Sequence, residues 1–223
     1  MEFSAYIANL GKYNAGVLAA AWLSFPTTTE QVQSVLREIG VDGLRYEEII
    51  ILEYSTGVKG LAGRLGEFVP IDELNYLASR IAALTPEGRE KFTAAVSHGE
   101  YGDSMQDLIN LTYNLDCYEF LPDVRTEEEY GRWLVDHRQE FHLPEKAKLY
   151  FDYESYGGDT CINEGGDFSE LGYIYNNRTK FQQIYDGQHV PEKYKVFRYP
   201  LQAKVRPARS GKGRDSPPRK RLW

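Results

Sequence analysis

Apolar and polar positions alternate over residues 3–9 (FSAYIAN), the two-residue period of a strand with one buried face. Residues 10–16 (LGKYNAG), with two glycines and an asparagine, read as a loop into a second strand over residues 17–24. The chain therefore opens as a hairpin with a longer connection. Thr27 and Glu30 stand at capping-box spacing, Val32, Val35, Leu36 and Ile39 give one helical face, and Gly40 suits the left-handed residue that ends a helix. The β-branched centre of residues 46–54 (YEEIIILEY) supplies a third strand, completing an α+β unit over residues 1–70. Glycines then recur at Gly57, Gly60, Gly63 and Gly66. With no Gly-Lys-Ser/Thr and no dinucleotide fingerprint, this spacing reads as a flexible linker and not as a phosphate cradle.

The middle section is periodic at helical spacing. Asp72 can cap a helix whose face is Leu74, Leu77, Ala78, Ile81 and Leu84; Thr85-Pro86 opens a second that runs to about Val96, and Ser104 a third over residues 106–111. Residues 71–112 are thus expected to form a small helical unit, loosely tied to its neighbours. In residues 113–190 a strand over 115–120 precedes a helix from Glu127, where Thr126 and Glu129 form a capping box and Tyr130, Trp133, Leu134 and His137 mark the apolar side. Pro144 can open another helix, carrying Ala147, Tyr150, Phe151 and Tyr153. The glycine pairs Gly157-Gly158 and Gly165-Gly166 bound a short strand over 160–163, and residues 168–175 supply the last strand. The fold class expected is α+β: three small domains in a row (α+β, helical, α+β), followed by a tail over residues 191–223.

Charge changes this picture from an ordinary globular chain to a divided one. The formal net charge of −7 on 223 residues hides a split: from Lys193 onward eleven basic residues face one acid, Asp215, whereas residues 1–192 hold fifteen basic against thirty-two acidic residues, a net of −17. A polyanionic body repels nucleic acid and attracts proteins that bind it. The tail, with three prolines and few apolar residues over 201–223, is expected to be disordered. No 18-residue apolar stretch and no leader pattern stands out, so a cytoplasmic, non-membrane protein is expected, and Cys117 and Cys161 read as small core fillers.

The acidic character concentrates where the aromatic residues do, between Tyr113 and Tyr175. The candidate partner-binding carboxylates are Asp103, Asp107, Asp116, Glu119, Asp123, Glu127, Glu128, Glu129, Asp136, Glu140, Asp152, Glu154 and Asp159. Three consecutive glutamates at a helix start also suit the positive end of the dipole, a local role that competes with the binding one. Catalytic patterns are missing: His98, His137, His142 and His189 lack zinc-protease spacing, and no Gly-x-Ser-x-Gly occurs. His137 and His142 with Asp136 or Glu140 are a chance metal set at best, and carboxylate pairs are too many to single one out. No cofactor and no enzymatic activity are expected. The seventeen tyrosines offer either a binding surface or half-buried packing. In the tail, Lys204, Arg206, Arg209, Lys212, Arg214, Arg219, Lys220 and Arg221 could make a sequence-blind contact with nucleic acid. The chain would then be an adaptor whose acidic body engages a protein. Equally, the tail could fold back and mask the body, or stand off as a solvated appendage.

Three blocks, YIANLGKYNAG, NLDCYEFLPDVRTEEEYGRWLV and YFDYESYGGDTCINEGGDFSELGYIY, together resemble the ArdA family of antirestriction proteins, over residues 1–177 and in the family's order. The resemblance implies three small domains in an elongated, curved homodimer joined through the third. It also implies a surface that imitates bent B-form DNA and occupies the DNA groove of type I restriction–modification enzymes, on their specificity and modification subunits. The family's antirestriction motif resembles Asn114, Leu115, Asp116, Tyr118, Pro122, Val124, Gly131 and Val135. Tyr130-Gly131 stands where the family usually has Leu-Gly, and Gly158 where arginine is common, which bears on the dimer or a local ion pair. Nothing carries over to the tail. Duplex DNA bears roughly one charge per 1.7 Å, so a net of −17 matches about 8 base pairs of phosphate.

Overall fold

The computed structural model describes residues 3–138 and 143–200; Glu140, His142 and the tail cations from Lys204 to Arg221 lie outside them. The first sheet is built on β1 (Phe3–Asn9), paired antiparallel with β2 (Ala20–Ser24) on one side and β3 (Ile49–Thr56) on the other. Residues 10–16 are not a loop throughout. Asn9 caps a short helix, α1 (Leu10–Asn14), accepting from the Lys12 N–H at 3.0 Å while its amide donates to Gly40 O at 3.0 Å, so the last residue of the expected strand is also a buried cap. The second strand begins only at Ala20, with Val17 and Leu18 left exposed. The capping box of α2 (Thr29–Ile39) is Thr28 with Gln31, one residue on from the expected Thr27 and Glu30; in a run of three threonines the hydroxyl that reaches the third helical N–H takes the cap. Gly40 closes this helix at φ +77°, as its position suggested.

The glycine-rich segment is not free to flex. Val58 and Leu61, which lie among its glycines, are 1% and 0% exposed, and a 3₁₀ turn follows at Ala62–Arg64. Three helices come next: α3 (Ile71–Ala82), α4 (Pro86–His98) and α5 (Met105–Leu111). Thr85 and Ser104 cap the last two, each accepting at 3.1 Å from the third helical N–H. Asp72 does not cap α3; Pro70 stands at that position, and the Asp72 carboxylate accepts instead from a distant segment of the chain. One core runs without a break from Phe3 and Leu36 through Leu77, Phe92 and Leu108 to Tyr118, Ile174, Tyr185 and Val196, so the middle helices are packed firmly against what precedes and follows them.

The second sheet has the order β4-β6-β5, all antiparallel, from β4 (Tyr118–Leu121), β5 (Asp167–Ser169) and β6 (Gly172–Asn176). Leu115–Cys117 is a 3₁₀ turn, so the strand expected from residue 115 starts three residues later. The helix from Glu127 is present as α6 (Glu127–His137), although His137 is exposed and stacks on Trp133 at 4.9 Å. Pro144 opens only the single turn α7 (Glu145–Lys148), with Tyr150 exposed beyond it, and Tyr153 begins α8 (Tyr153–Glu164). The strand expected at residues 160–163 is the end of α8. Gly157 sits mid-helix because the backbone of α6 leaves no room for a side chain there, whereas a Cβ on Gly158 would first meet the Glu127 carboxyl, at 3.2 Å. A second, smaller core of Val124, Tyr130, Leu134 and Tyr173 fills the space between α6 and the sheet. Residues 191–200, expected to begin the free tail, are packed: Val196 is buried and the Tyr194 ring stacks on Tyr76 at 4.3 Å.

Candidate acidic docking surface

Two helix starts create the densest acidic display. Thr126 accepts from the Glu129 N–H at 3.2 Å, and the Glu129 carboxylate returns to the N–H groups of Arg125 and Thr126 at 2.7 and 3.2 Å. Glu129 is thereby committed to the cap, which leaves Glu127 and Glu128 as the acids of that first turn outside it. At the other helix Asp152 is the cap, accepting from the Ser155 N–H at 3.0 Å and its hydroxyl at 2.8 Å; these bonds hold its carboxyl below the usual range. Glu154 follows in the first turn of α8.

The crossing of these helices brings the two acid sets together. A Cβ on Gly131 would lie 1.9 Å from Tyr153 O, and one on Gly157 would lie 1.9 Å from Glu127 O, so each glycine admits the other helix's backbone. As a result Glu127, Glu128 and Glu154 line one open groove with Arg125, Thr126 and Phe168. Arg132 covers part of it: its guanidinium binds Glu128 at 2.6 Å and lies over the Tyr153 ring at 4.4 Å. Among the described residues no basic side chain forms an ion pair with Glu127 or Glu154. A Cβ at Gly158 would stand 3.2 Å from the Glu127 carboxyl, so the small residue there keeps that acid open on one side.

The other sequence candidates divide between free and engaged. Asp116, Glu119 and Asp123 are exposed along the turn into β4 and beyond it, with Glu119 accepting from the Asn177 amide at 3.1 Å. Asp159 is exposed on α8. Asp136 sits 3.6 Å from Lys148 and Asp103 3.6 Å from Arg64, while Asp107 is half-buried and accepts from the Ser104 hydroxyl at 2.7 Å. Asp103 and Asp107 belong to the entry of α5, away from the α6–α8 crossing in the chain.

Most of the motif residues are supports and not contact groups. Asn114, Tyr118, Val124 and Gly131 are buried, and Pro122 packs against Gly172, where a Cβ would come within 2.6 Å of the Pro122 Cα. Leu115 and Val135 are half-buried, which leaves Asp116 and Pro122 as the exposed members. Glu164, which the sequence did not single out, accepts from the hydroxyls of Tyr130 and Tyr173 at 2.5 and 3.1 Å and pairs with Arg138 at 2.5 Å. Burial raises both tyrosine pKa values. A second unforeseen joint is His98, mostly buried, whose Nδ1 lies 2.5 Å from Asp167 while its ring meets Tyr118 edge-on. The histidine is thus a seam between α4 and β5. No local sequence signal marks the Glu164 network, because its partners Tyr130, Arg138 and Tyr173 lie 34, 26 and 9 residues away.

Among the described residues no group of three or more His, Cys, Asp or Glu side chains is placed to hold a metal ion, and no helix is long and apolar enough to cross a membrane. Comparison with curated proteins gives no match. A family model described as antirestriction protein (ArdA) matches residues 5–175, which takes in all but the outermost residues of both sheets, helices α1 to α8 and the acidic groove. The chain belongs to the ArdA family of antirestriction proteins.

Proposed function

We propose that the protein blocks type I restriction–modification enzymes by presenting carboxylates in place of DNA phosphates, binding where the specificity and modification subunits would hold duplex. The observation that carries this is the convergence of Glu127, Glu128 and Glu154 from two helices into one open groove, with Asp116, Glu119, Asp123 and Asp159 exposed on the same domain. Fixed helix starts hold these acids without needing a base sequence, so one inhibitor serves enzymes with different recognition sites. Residues 1–200 carry eighteen basic and thirty-two acidic residues, a net of −14. That equals the phosphates of roughly 7 base pairs per chain. The domains proposed are residues 1–70, 71–112 and 113–190, in an elongated homodimer joined through the third, and the protein acts by occupancy without catalysis in the cytoplasm.

The test is titration into a type I methyltransferase core holding labelled duplex, at two salt concentrations. Displacement that weakens as salt rises is the expected result, because the enzyme's phosphate-contacting lysines and arginines make the same screened contacts to carboxylates. Failure to displace duplex by a folded protein would sink the proposal.

A further inference from the structure

Beyond β6 the chain leaves the second sheet and runs back across the molecule to the first. Just past α5, Asn114 Oδ1 accepts from the Gln182 N–H at 2.8 Å, and on α5 Asn110 Oδ1 accepts from those of Ile184 and Tyr185 at 2.9 and 2.7 Å. The Asn110 amide donates in turn to Tyr185 O at 2.9 Å, and the Tyr185 hydroxyl reaches Glu73 of α3 at 2.5 Å. Farther on, Asp72 Oδ1 takes the N–H groups of Val196 and Phe197 at 2.7 and 2.8 Å. Asn75 bridges three parts: it accepts from Thr27 N–H at 2.8 Å and donates to Tyr194 O at 3.0 Å. At the far end Gln33 of α2 donates to Tyr199 O at 3.0 Å, and the Tyr199 hydroxyl donates to Glu47 O at 2.9 Å.

Asn75, Asn110 and Asn114 are 3%, 0% and 2% exposed, so these carboxamides have left water and depend on the returning segment for partners. The segment itself has almost no regular structure: among its described residues only a 3₁₀ turn, Glu192–Tyr194, occurs. Its backbone is satisfied by side chains of α3, of α5 and of Asn114 just beyond α5, where a helix or sheet would use its own groups. It also lies wholly beyond the residues that match the family.

We propose that residues 178–199 are a clamp that fixes the second sheet, helices α3 and α5, and the first sheet in one mutual setting, and that inhibition depends on this setting. The second half rests on the DNA-mimic reading. A mimic competes with a stiff duplex, and acids on units that swivel would have to be ordered on binding, with a loss of affinity that a clamp avoids. The segment crosses from β6 to α2 in one pass and touches each intervening unit, which is the geometry that suppresses such swivelling.

The experiment uses the full chain and three variants. Asp72→Ala removes the acceptor for Val196 and Phe197, Asp72→Asn keeps an oxygen in that place, and the near-isosteric Tyr185→Phe removes only the bond to Glu73. Amide hydrogen exchange and inhibition of a type I enzyme are read on each. Asp72→Ala should speed exchange at Val196 and Phe197 by at least about tenfold, and weaken inhibition several-fold. Asp72→Asn should stay close to the parent, and Tyr185→Phe should give a smaller loss of both kinds, which holds even if Asp72→Ala does not fold. Faster exchange with unchanged inhibition would overturn the functional half, and unchanged exchange in Asp72→Ala and Tyr185→Phe would overturn the clamp itself. If the parent chain shows full protection of the segment yet inhibits nothing, the clamp stands and the mimic reading falls.

Discussion

Gly131 shows how much of the acidic groove hangs on a missing methyl group. Its absent Cβ would sit 1.9 Å from Tyr153 O, a backbone atom that cannot swing away, so Gly131→Ala must push α6 and α8 apart. The expected cost is on the order of 3 kcal/mol, the upper part of the overpacking range, measured by urea unfolding, with a matching loss of inhibition as Glu154 moves from Glu127. Gly165→Ala is the control. Nothing lies within 4 Å of its Cβ, but its φ is +68°, so it should cost only about 1 to 2 kcal/mol and leave the groove intact. The buried tyrosines set a second residue-scale limit. Burial raises the pKa of Tyr118, Tyr130 and Tyr173, so their neutral forms are favoured in the fold. Stability from this source is complete below the unfolded tyrosine value, about 10, and is lost as pH rises beyond it through the raised folded values. A thermal midpoint that falls steeply above that pH, and recovers in part in Tyr118→Phe, would bear this out. Tyr118 suits the test because its buried hydroxyl has no hydrogen-bond partner among the described residues, so its removal breaks no bond.

At the scale of elements, the acids of the groove are held by caps. Thr126→Ala should destabilise by about 1 kcal/mol, since it removes the side-chain acceptor for Glu129 N–H while the main-chain N–H groups bound by the Glu129 carboxylate remain. Asp152 makes the pH-dependent counterpart. Its carboxyl is held below the ordinary value by the Ser155 bonds, so its contribution is present above the unfolded aspartate value, about 3.9, and is lost as pH falls through the lower folded one. Asp152→Ala should therefore lower the thermal midpoint at pH 7 and converge with the parent in acid.

These caps were the most legible elements in the sequence. Thr85, Ser104, Thr126 and Gly40 each stand where a single local bond or backbone angle decides the outcome. The failures share a different cause. Asp72 and the pair Gly157-Gly158 carry local signals for a cap and a strand boundary, yet each answers to a partner far along the chain: Val196 and Glu127 respectively. The same holds for the site. Glu127 and Glu128 could be read from one capping box, but that Glu154 joins them depends on a helix crossing. Glu164 and the returning segment became visible only once the buried carboxamides had partners.

Across the whole molecule charge is the quantity that inhibition should follow. Neutralising Glu127, Glu128 or Glu154 singly to glutamine should weaken inhibition by less than about tenfold each, with the triple change near the product, because screened contacts to many phosphate-binding cations share the load. Complete loss from Asp116→Asn alone in a folded protein would point instead to a localised site. The tail offers the sharpest whole-molecule test, and the structure moves the cut. Removing residues from 193 would tear Val196 from the core and Tyr194 from Tyr76, so the clean deletion is residues 201–223. That stretch carries eight basic residues and Asp215, a net of +7, and its loss takes the chain from −7 to −14. A polycation tethered at Pro200 faces its own acidic body at an effective concentration of order millimolar, far above that of any enzyme in an assay. The shortened protein should therefore inhibit at lower concentration in low salt, with the two forms converging as salt shortens the range of every charge. Weaker inhibition after the cut would mean that the cations grip nucleic acid near the enzyme, and would make the adaptor role the better account of residues 201–223.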